Sequence, residues 1–178
     1  GFLATLHRLP LKPFIDAGIQ RAATPDGVGS YGIGRFEAVW RAGKNAPNPL
    51  LEFMLGWLKR NPVRTRGRES AIVWDAGQLH QNDGRLVAML DVEIGHIGDP
   101  MMDLAAPRMR DTVLHFGDFD TLYREYERAG GFPVDMDAIQ LQHIALTLTN
   151  ELAFRNSLND PLPESDYMTN LHWCRGTN

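Results

Sequence analysis

Apolar side chains recur along this chain at helical spacing for most of its length, with a shorter strand-like stretch in the middle. Phe2, Leu3, Leu6 and Leu9 share one helical face, so the chain opens inside an amphipathic helix with no capping residue ahead of it. Residues 10–34 interrupt the pattern with three prolines and a cluster of glycines, which predicts a loop-rich stretch. Phe36, Val39 and Trp40 return to helical spacing, and Gly43 is placed to close that helix. In NPLLEFMLGWLKRN (48–61), Asn48 stands as the cap, Pro49 in the first turn, and Leu50, Leu51, Met54, Trp57 and Leu58 on a stripe that Pro62 ends.

A basic linker, VRTRGRE (63–69), leads into SAIVW (70–74), a strand candidate. GRLVAMLD (84–91) is a second, with a tight loop between them. Asp99 and Pro100 mark a helix start. FDTLYREYERAGG (119–131) and MDAIQLQHIALTLTNELAFRNSL (136–158) are helical, Asp135 is placed to cap the second, and a last helix is expected near Ser165 or Asp166. The pattern predicts one domain over residues 1–178, α+β in class and mostly α-helical, with a short central β-strand pair.

Composition narrows the function. With 43% hydrophobic and 22% charged residues the chain has the makings of a packed core rather than a disordered one. A net charge of -4 and an isoelectric point near 5.8 argue against nucleic acid as a partner. No apolar run approaches the roughly 18 residues that span a bilayer, so no membrane role is expected. Cys174 is the single cysteine, without an internal partner, which suits a reducing, cytoplasmic setting.

GVGSYGIG (27–34) matches Gly-x-Gly-x-x-Gly, a spacing used to wrap phosphate. A dinucleotide site needs a strand before it and a kinase loop needs strands on both sides. Neither is predicted here, so the glycines read as a flexible surface loop. Lys44 and Lys59 read as surface lysines, and RMRD (108–111) as a solvated or ion-paired face that could meet an anionic substrate.

The chemistry concentrates in residues 70–105. Asp75 follows the first strand candidate and Asp91 ends the second, so antiparallel pairing would bring the two carboxylates together. Two such groups suit Mg²⁺, or a base beside a metal; aspartates at strand ends also serve as plain turn residues. His96 lies near Glu93 and Asp99, and with His80 and Asp91 it makes a mixed-ligand metal set of the kind a hydrolase uses. His7 and His143 sit on amphipathic helices and read as partly buried, hydrogen-bonded side chains.

GDPMMDLA (98–105), preceded by LDVE (90–93), resembles the catalytic core of the aminoglycoside phosphotransferase family, the small-molecule branch of the protein-kinase-like fold. FLATLHRL (2–9) is similar to the helix that opens that family's C-terminal lobe, and PLLEFMLGWLKRNP (49–62) to the helix before its catalytic strand. The resemblance covers most of residues 1–130 and implies a kinase-like C-terminal lobe. It implies that Asp75 is the catalytic aspartate, orienting a substrate hydroxyl and accepting its proton. Asp91 would hold Mg²⁺ against nucleotide phosphates, and Asp103 would brace the catalytic loop through backbone N–H groups. ATP and Mg²⁺ are the implied cofactors, a small-molecule alcohol and a nucleotide the implied partners. Aromatic residues of the C-terminal part (Tyr123, Tyr126, Phe132, Phe154, Tyr167 and Trp173) would help shape the acceptor pocket.

The chain departs from the family pattern at three positions. Val73-Trp74 replaces His-Gly before the aspartate. His80 stands five residues after Asp75, where the family keeps an Asn as second metal ligand, and Asn82 lies two positions beyond. The expected chain is therefore a C-terminal lobe whose nucleotide-binding lobe is absent, inactive on its own and inclined to self-associate through the apolar face left uncovered. A non-catalytic kinase-like binding module, favoured by Val73, Trp74 and His80, is the alternative, with the metal-dependent hydrolase behind it.

Overall fold

Most helices form where the apolar stripes predict them, while α2 and the first turn of α3 arise inside the stretch expected to be loop-rich, and what fixes several helix ends is visible. The computed structural model describes residues 1–111, 115–159, 168 and 171. Its elements are α1 (Phe2–His7), α2 (Lys12–Asp16), α3 (Tyr31–Ala42), α4 (Pro49–Arg60), β1 (Ser70–Ile72), β2 (Leu79–Asn82), β3 (Arg85–Met89), β4 (His96–Gly98), α5 (Met101–Arg110), α6 (Phe119–Arg128) and α7 (Met136–Asn159). The class is α+β and mostly helical. The expected last helix near Ser165 lies outside the described residues. Among those described, no helix is long and apolar enough to cross a membrane.

Asn48 accepts the Leu51 N–H at 3.1 Å, Asp118 accepts from Asp120 and Thr121, and Asp135 accepts from Ala138 at 3.1 Å, each satisfying amides that have no partner inside the helix. Arg68, from the basic linker, is buried and ties the last of these starts to that of α5. It donates to Asp99 at the head of α5 and to Asp135 at the head of α7. Burial pushes the Asp99 carboxyl up, and the Arg68 guanidinium offsets that only in part.

The strand pairing differs from the expected one. β1 pairs antiparallel with β4, Ser70 opposite Gly98 and Ile72 opposite His96, while β2 and β3 form a separate hairpin. The hairpin turns at Asp83 and Gly84, both at positive φ, a two-residue geometry that Asp-Gly favours. β1 stops at Ile72 because the amides of Val73 and Trp74 turn to a side chain instead of a strand.

The glycine cluster is not a flexible surface loop. Pro25–Ser30 form a 3-10 turn that runs into α3, and Val28, Gly29, Gly32 and Ile33 are buried. Packing explains two of the glycines. A Cβ at Gly29 would lie 2.8 Å from Val63, and one at Gly32 would lie 1.8 Å from Cζ3 of Trp74. The bare backbone of α3 is the floor on which the Trp74 indole rests, with Phe36 stacked beside it.

α5 is the central post, buried from Met101 through Pro107. Met102 and Ala106 face one core with Trp40, Leu55, Trp74 and Leu146. Met101, Leu104 and Ala105 face a second with Tyr123, Tyr126 and Ile139. α7, about 36 Å long at 1.5 Å per residue, lies along both with Ile139, Gln142, Leu146, Thr149 and Leu152 on its inner stripe.

Gly32→Ala should destabilise the fold by about 1–3 kcal/mol in urea denaturation, since the indole has to move. Gly34→Ala on the same helix, where a Cβ meets nothing within 4 Å, should be neutral or stabilising.

Candidate active site

The site is organised from below by Asp103, whose side chain is fully buried on α5. One carboxylate oxygen accepts the Val73 N–H at 3.0 Å and the other the Trp74 N–H at 2.9 Å. The Val73-bound oxygen also meets His7 Nε2 at 3.1 Å. Because a carboxylate only accepts, Nε2 carries the ring proton there, and Nδ1 accepts from the Tyr126 hydroxyl at 2.8 Å. Burial pushes Tyr126 up to about 12, so that hydroxyl stays protonated, and its oxygen accepts the Phe132 N–H. Three helices and the end of β1 thus meet at one carboxylate.

The loop that Asp103 holds carries Trp74 and Asp75. Trp74 has φ +74°, a region that costs a non-glycine residue roughly 1–2 kcal/mol. Its indole is 2% exposed, and Nε1 has no hydrogen-bond partner. The same position is the glycine of the His-Gly-Asp that this segment resembles. Backbone strain and an unsatisfied donor are therefore offset by the packing of the ring against Gly32, Phe36 and His96.

Asp75 and Asp91 are brought together, though not by the strand pairing expected. The Gln78 N–H bonds back to the Asp75 carbonyl at 3.3 Å, and the Leu90 N–H bonds to the Gln78 carbonyl at 3.1 Å, which fixes Asp91 beside this turn. Asp91 has φ +58°, a conformation aspartate tolerates. The Gln78 amide nitrogen lies between the two carboxylates, 3.3 Å from Asp75 Oδ2 and in contact with Asp91 Oδ2. Arg110, at the end of α5, grips Asp75 with two donors, Nε on Oδ1 at 2.8 Å and a terminal nitrogen on Oδ2. Asp75, and more weakly Asp91, raise the Arg110 pKa above its ordinary value. The Arg110 stem crosses Gly77, where a Cβ would lie 2.3 Å from Cδ.

Asp75, Gln78, Asp91 and Arg110 form one end of a cavity of about 300 Å³, whose other walls include Trp74, Phe36, Ile94, Leu146 and Phe154. A larger apolar groove, about 500 Å³ between α4 and α7, shares no lining residue with it. His80 lies elsewhere, exposed on β2 opposite Ala88, and Asn82 is at the hairpin corner. His96 is in the core between the rings of Tyr31 and Trp74, its Nδ1 3.3 Å from the Ile94 carbonyl. Burial drives it down to about 4. His80, Asp91 and His96 are therefore not gathered. Among the described residues no three His, Cys, Asp or Glu side chains converge on a metal position. Of the aromatic set, Tyr123, Tyr126 and Phe132 belong to the second core, Phe154 lines the cavity, and Tyr167 and Trp173 lie outside the described residues. Gln78 and Arg110 are the participants that sequence reasoning missed or left as surface; neither has a local signal, because their partners come from other turns of the chain.

No family model and no curated protein matches the sequence. Among solved structures, the chain superposes on the crystal structure of a "putative aminoglycoside phosphotransferase" from Ralstonia eutropha JMP134 with a TM-score of 0.71 at 15% identity. The superposition covers 98% of this chain and 60% of that one, so the chain spans about 60% of its neighbour's length. The two share a fold, the kinase-like fold of a phosphotransferase.

Replacing Asp103 with Ala strands three buried donors and should cost about 3 kcal/mol or more by urea denaturation. For His96 the folded pKa, about 4, lies below the ordinary imidazole value of 6.5. The stability tied to its neutral ring is complete above that value and falls, by roughly 3 kcal/mol in all, as pH drops toward 4. The His96 ring proton resonances should show no titration above pH 5 by NMR.

Proposed function

We propose that this chain is the acceptor-side catalytic part of an ATP- and Mg²⁺-dependent phosphotransferase acting on the hydroxyl of a small molecule. The observation that carries the reading is the convergence of Asp75 and Asp91 on the Gln78 amide at the mouth of one cavity, on a loop held by Asp103. The residues suit the metal. The amide N–H group between the two carboxylates marks a place where positive charge is favourable. Mg²⁺ commonly takes one or two protein carboxylates and completes its shell with waters and phosphates. Asp91 would hold it, with Asp75 at its edge and His80 at a second position only if the hairpin moves. The metal supplies neutralisation of charge on the transferred phosphoryl group.

The chain's own groups account for the acceptor side. The cavity walls exclude water from the hydroxyl and orient it toward Asp75. Asp75 then takes the hydroxyl proton on one carboxylate oxygen, leaving the acceptor oxygen free to attack. Both Asp75 oxygens are engaged by Arg110 here, so this step needs one of those bonds to open. Asp103 keeps the Asp75 backbone still while the guanidinium moves. In this proposal the phosphate-binding lysine and glycine loop of the nucleotide lobe belong to a part of the enzyme beyond these 178 residues.

A second reading is favoured by that same pair. With Asp75 locked by Arg110, and with Val73-Trp74 in place of His-Gly, the chain could serve as a binding module on a kinase-like scaffold.

Mn²⁺ titration of the isotopically labelled chain separates the readings. Paramagnetic broadening should centre on residues 75–78 and 90–92, vanish in Asp91→Ala and survive in His80→Ala. Broadening that ignores Asp91 would remove the metal assignment and leave the binding module; loss in His80→Ala would give His80 a ligand role.

A further inference from the structure

We propose that the cavity beside Asp75 selects an uncharged alcohol with a largely apolar body, and discriminates against polycationic acceptors such as aminoglycosides. The inference rests on the phosphotransferase reading for the meaning of "acceptor", but its argument is the charge inside the cavity. A site for a polycation needs several uncompensated carboxylates, because each ammonium group leaves water only for an anion that repays its desolvation. Among the described residues, two carboxylates line this cavity. Asp75 is already neutralised by the two-pronged contact with Arg110. Asp91, the other, is the group proposed to hold the metal and is shared with the Gln78 amide.

Among the described residues the opposite wall supplies no third. Where α7 faces the cavity it presents Leu146, Thr149, Asn150, Ala153 and Phe154, and α3 adds Phe36, all uncharged. The three charged residues of the same helix, Asp137, Glu151 and Arg155, line other surfaces. Glu151 pairs with Arg155, and both face the separate groove against α4. α7 thus turns only neutral side chains to this cavity. The volume, about 300 Å³, is at the small end of ligand pockets and suits a short apolar body rather than a linked set of sugars.

Arg110 is built in rather than incidental. Its stem passes over Gly77, where any side chain would collide with it, and its side chain is 19% exposed. It sets the electrostatic sign of the cavity by cancelling the carboxylate next to the reacting hydroxyl.

The test uses the 178-residue chain and three probes, followed by amide shifts of cavity residues in NMR titrations: 2-phenylethanol, sorbitol and kanamycin. 2-Phenylethanol should bind at the cavity at least about tenfold tighter than either of the others, the scale set by leaving one charge poorly paired. Ala153 is exposed on the cavity wall, so Ala153→Asp adds a carboxylate with little risk to folding. It should weaken 2-phenylethanol and strengthen kanamycin, each by about tenfold. Arg110→Gln, which uncovers Asp75, should shift the preference in the same direction. The inference is overturned if kanamycin or sorbitol binds the unmodified cavity as tightly as 2-phenylethanol, if 2-phenylethanol shifts no cavity residue, or if neither substitution changes the order. Its failure is distinguishable from that of phosphoryl transfer. Alcohol binding without Asp91-dependent Mn²⁺ binding keeps the cavity chemistry and removes the kinase; Asp91-dependent Mn²⁺ binding with kanamycin preferred does the opposite.

Discussion

The Asp103 carboxylate, fully buried on the central helix, is the point on which this architecture turns. A buried carboxylate is tolerated only where donors surround it. Here the donors come from the end of β1 and from α1, and α1 is in turn fixed to α6 by the Tyr126 hydroxyl. The arrangement has a directional consequence. Because both oxygens are committed to the amides of Val73 and Trp74, β1 cannot continue as a strand, and the chain leaves the sheet carrying Asp75 outward toward the cavity. A structural constraint in the core thereby sets the position of the group most exposed to chemistry.

Above that brace, the polar end of the cavity is a chain of opposite partial charges: Arg110 on Asp75, Asp75 on Gln78, Gln78 on Asp91. Each contact holds the next, and none is long-range in space although they span thirty-five residues of sequence. The fold shared with a longer phosphotransferase structure supplies the frame. Local electrostatics give the frame a chemical direction, and fold alone would not.

Much of the scaffold could be read before any coordinates. α4 announces itself through an apolar stripe and its capping side chain Asn48, and α7 through an unbroken run of helix-forming residues behind the cap Asp135, because helix signals are local. Strand partners are not local. HIG (96–98) is three residues long, too short to show alternation, so β1 was assigned to the wrong neighbour, while the Asp83-Gly84 turn that defines the actual hairpin was present in the sequence and passed over. The glycine cluster differs from its expected loop for a related reason. Glycine's low helix propensity argues for a loop, and only the proximity of Trp74 and Val63 explains why helix with bare backbone is preferred there. In the site, the order of Asp75, Asp91 and Asp103 along the chain pointed to their neighbourhood. Gln78 carries no local signal, and Arg110 reads only as part of a solvated or ion-paired face, since an amide and a guanidinium become informative only when their partners are known; His80, counted from spacing, sits out on the hairpin.

The indole of Trp74 and the empty Cβ position of Gly32 occupy the same space from two sides of a helix. Neither residue can be judged conservative or radical by itself. A descendant of this chain that relaxed the left-handed backbone at 74 with glycine would vacate the slot and free position 32 to accept alanine or serine. One that kept the tryptophan would be bound to glycine there. Related sequences should therefore drift at these two sites in concert, forty-two residues apart.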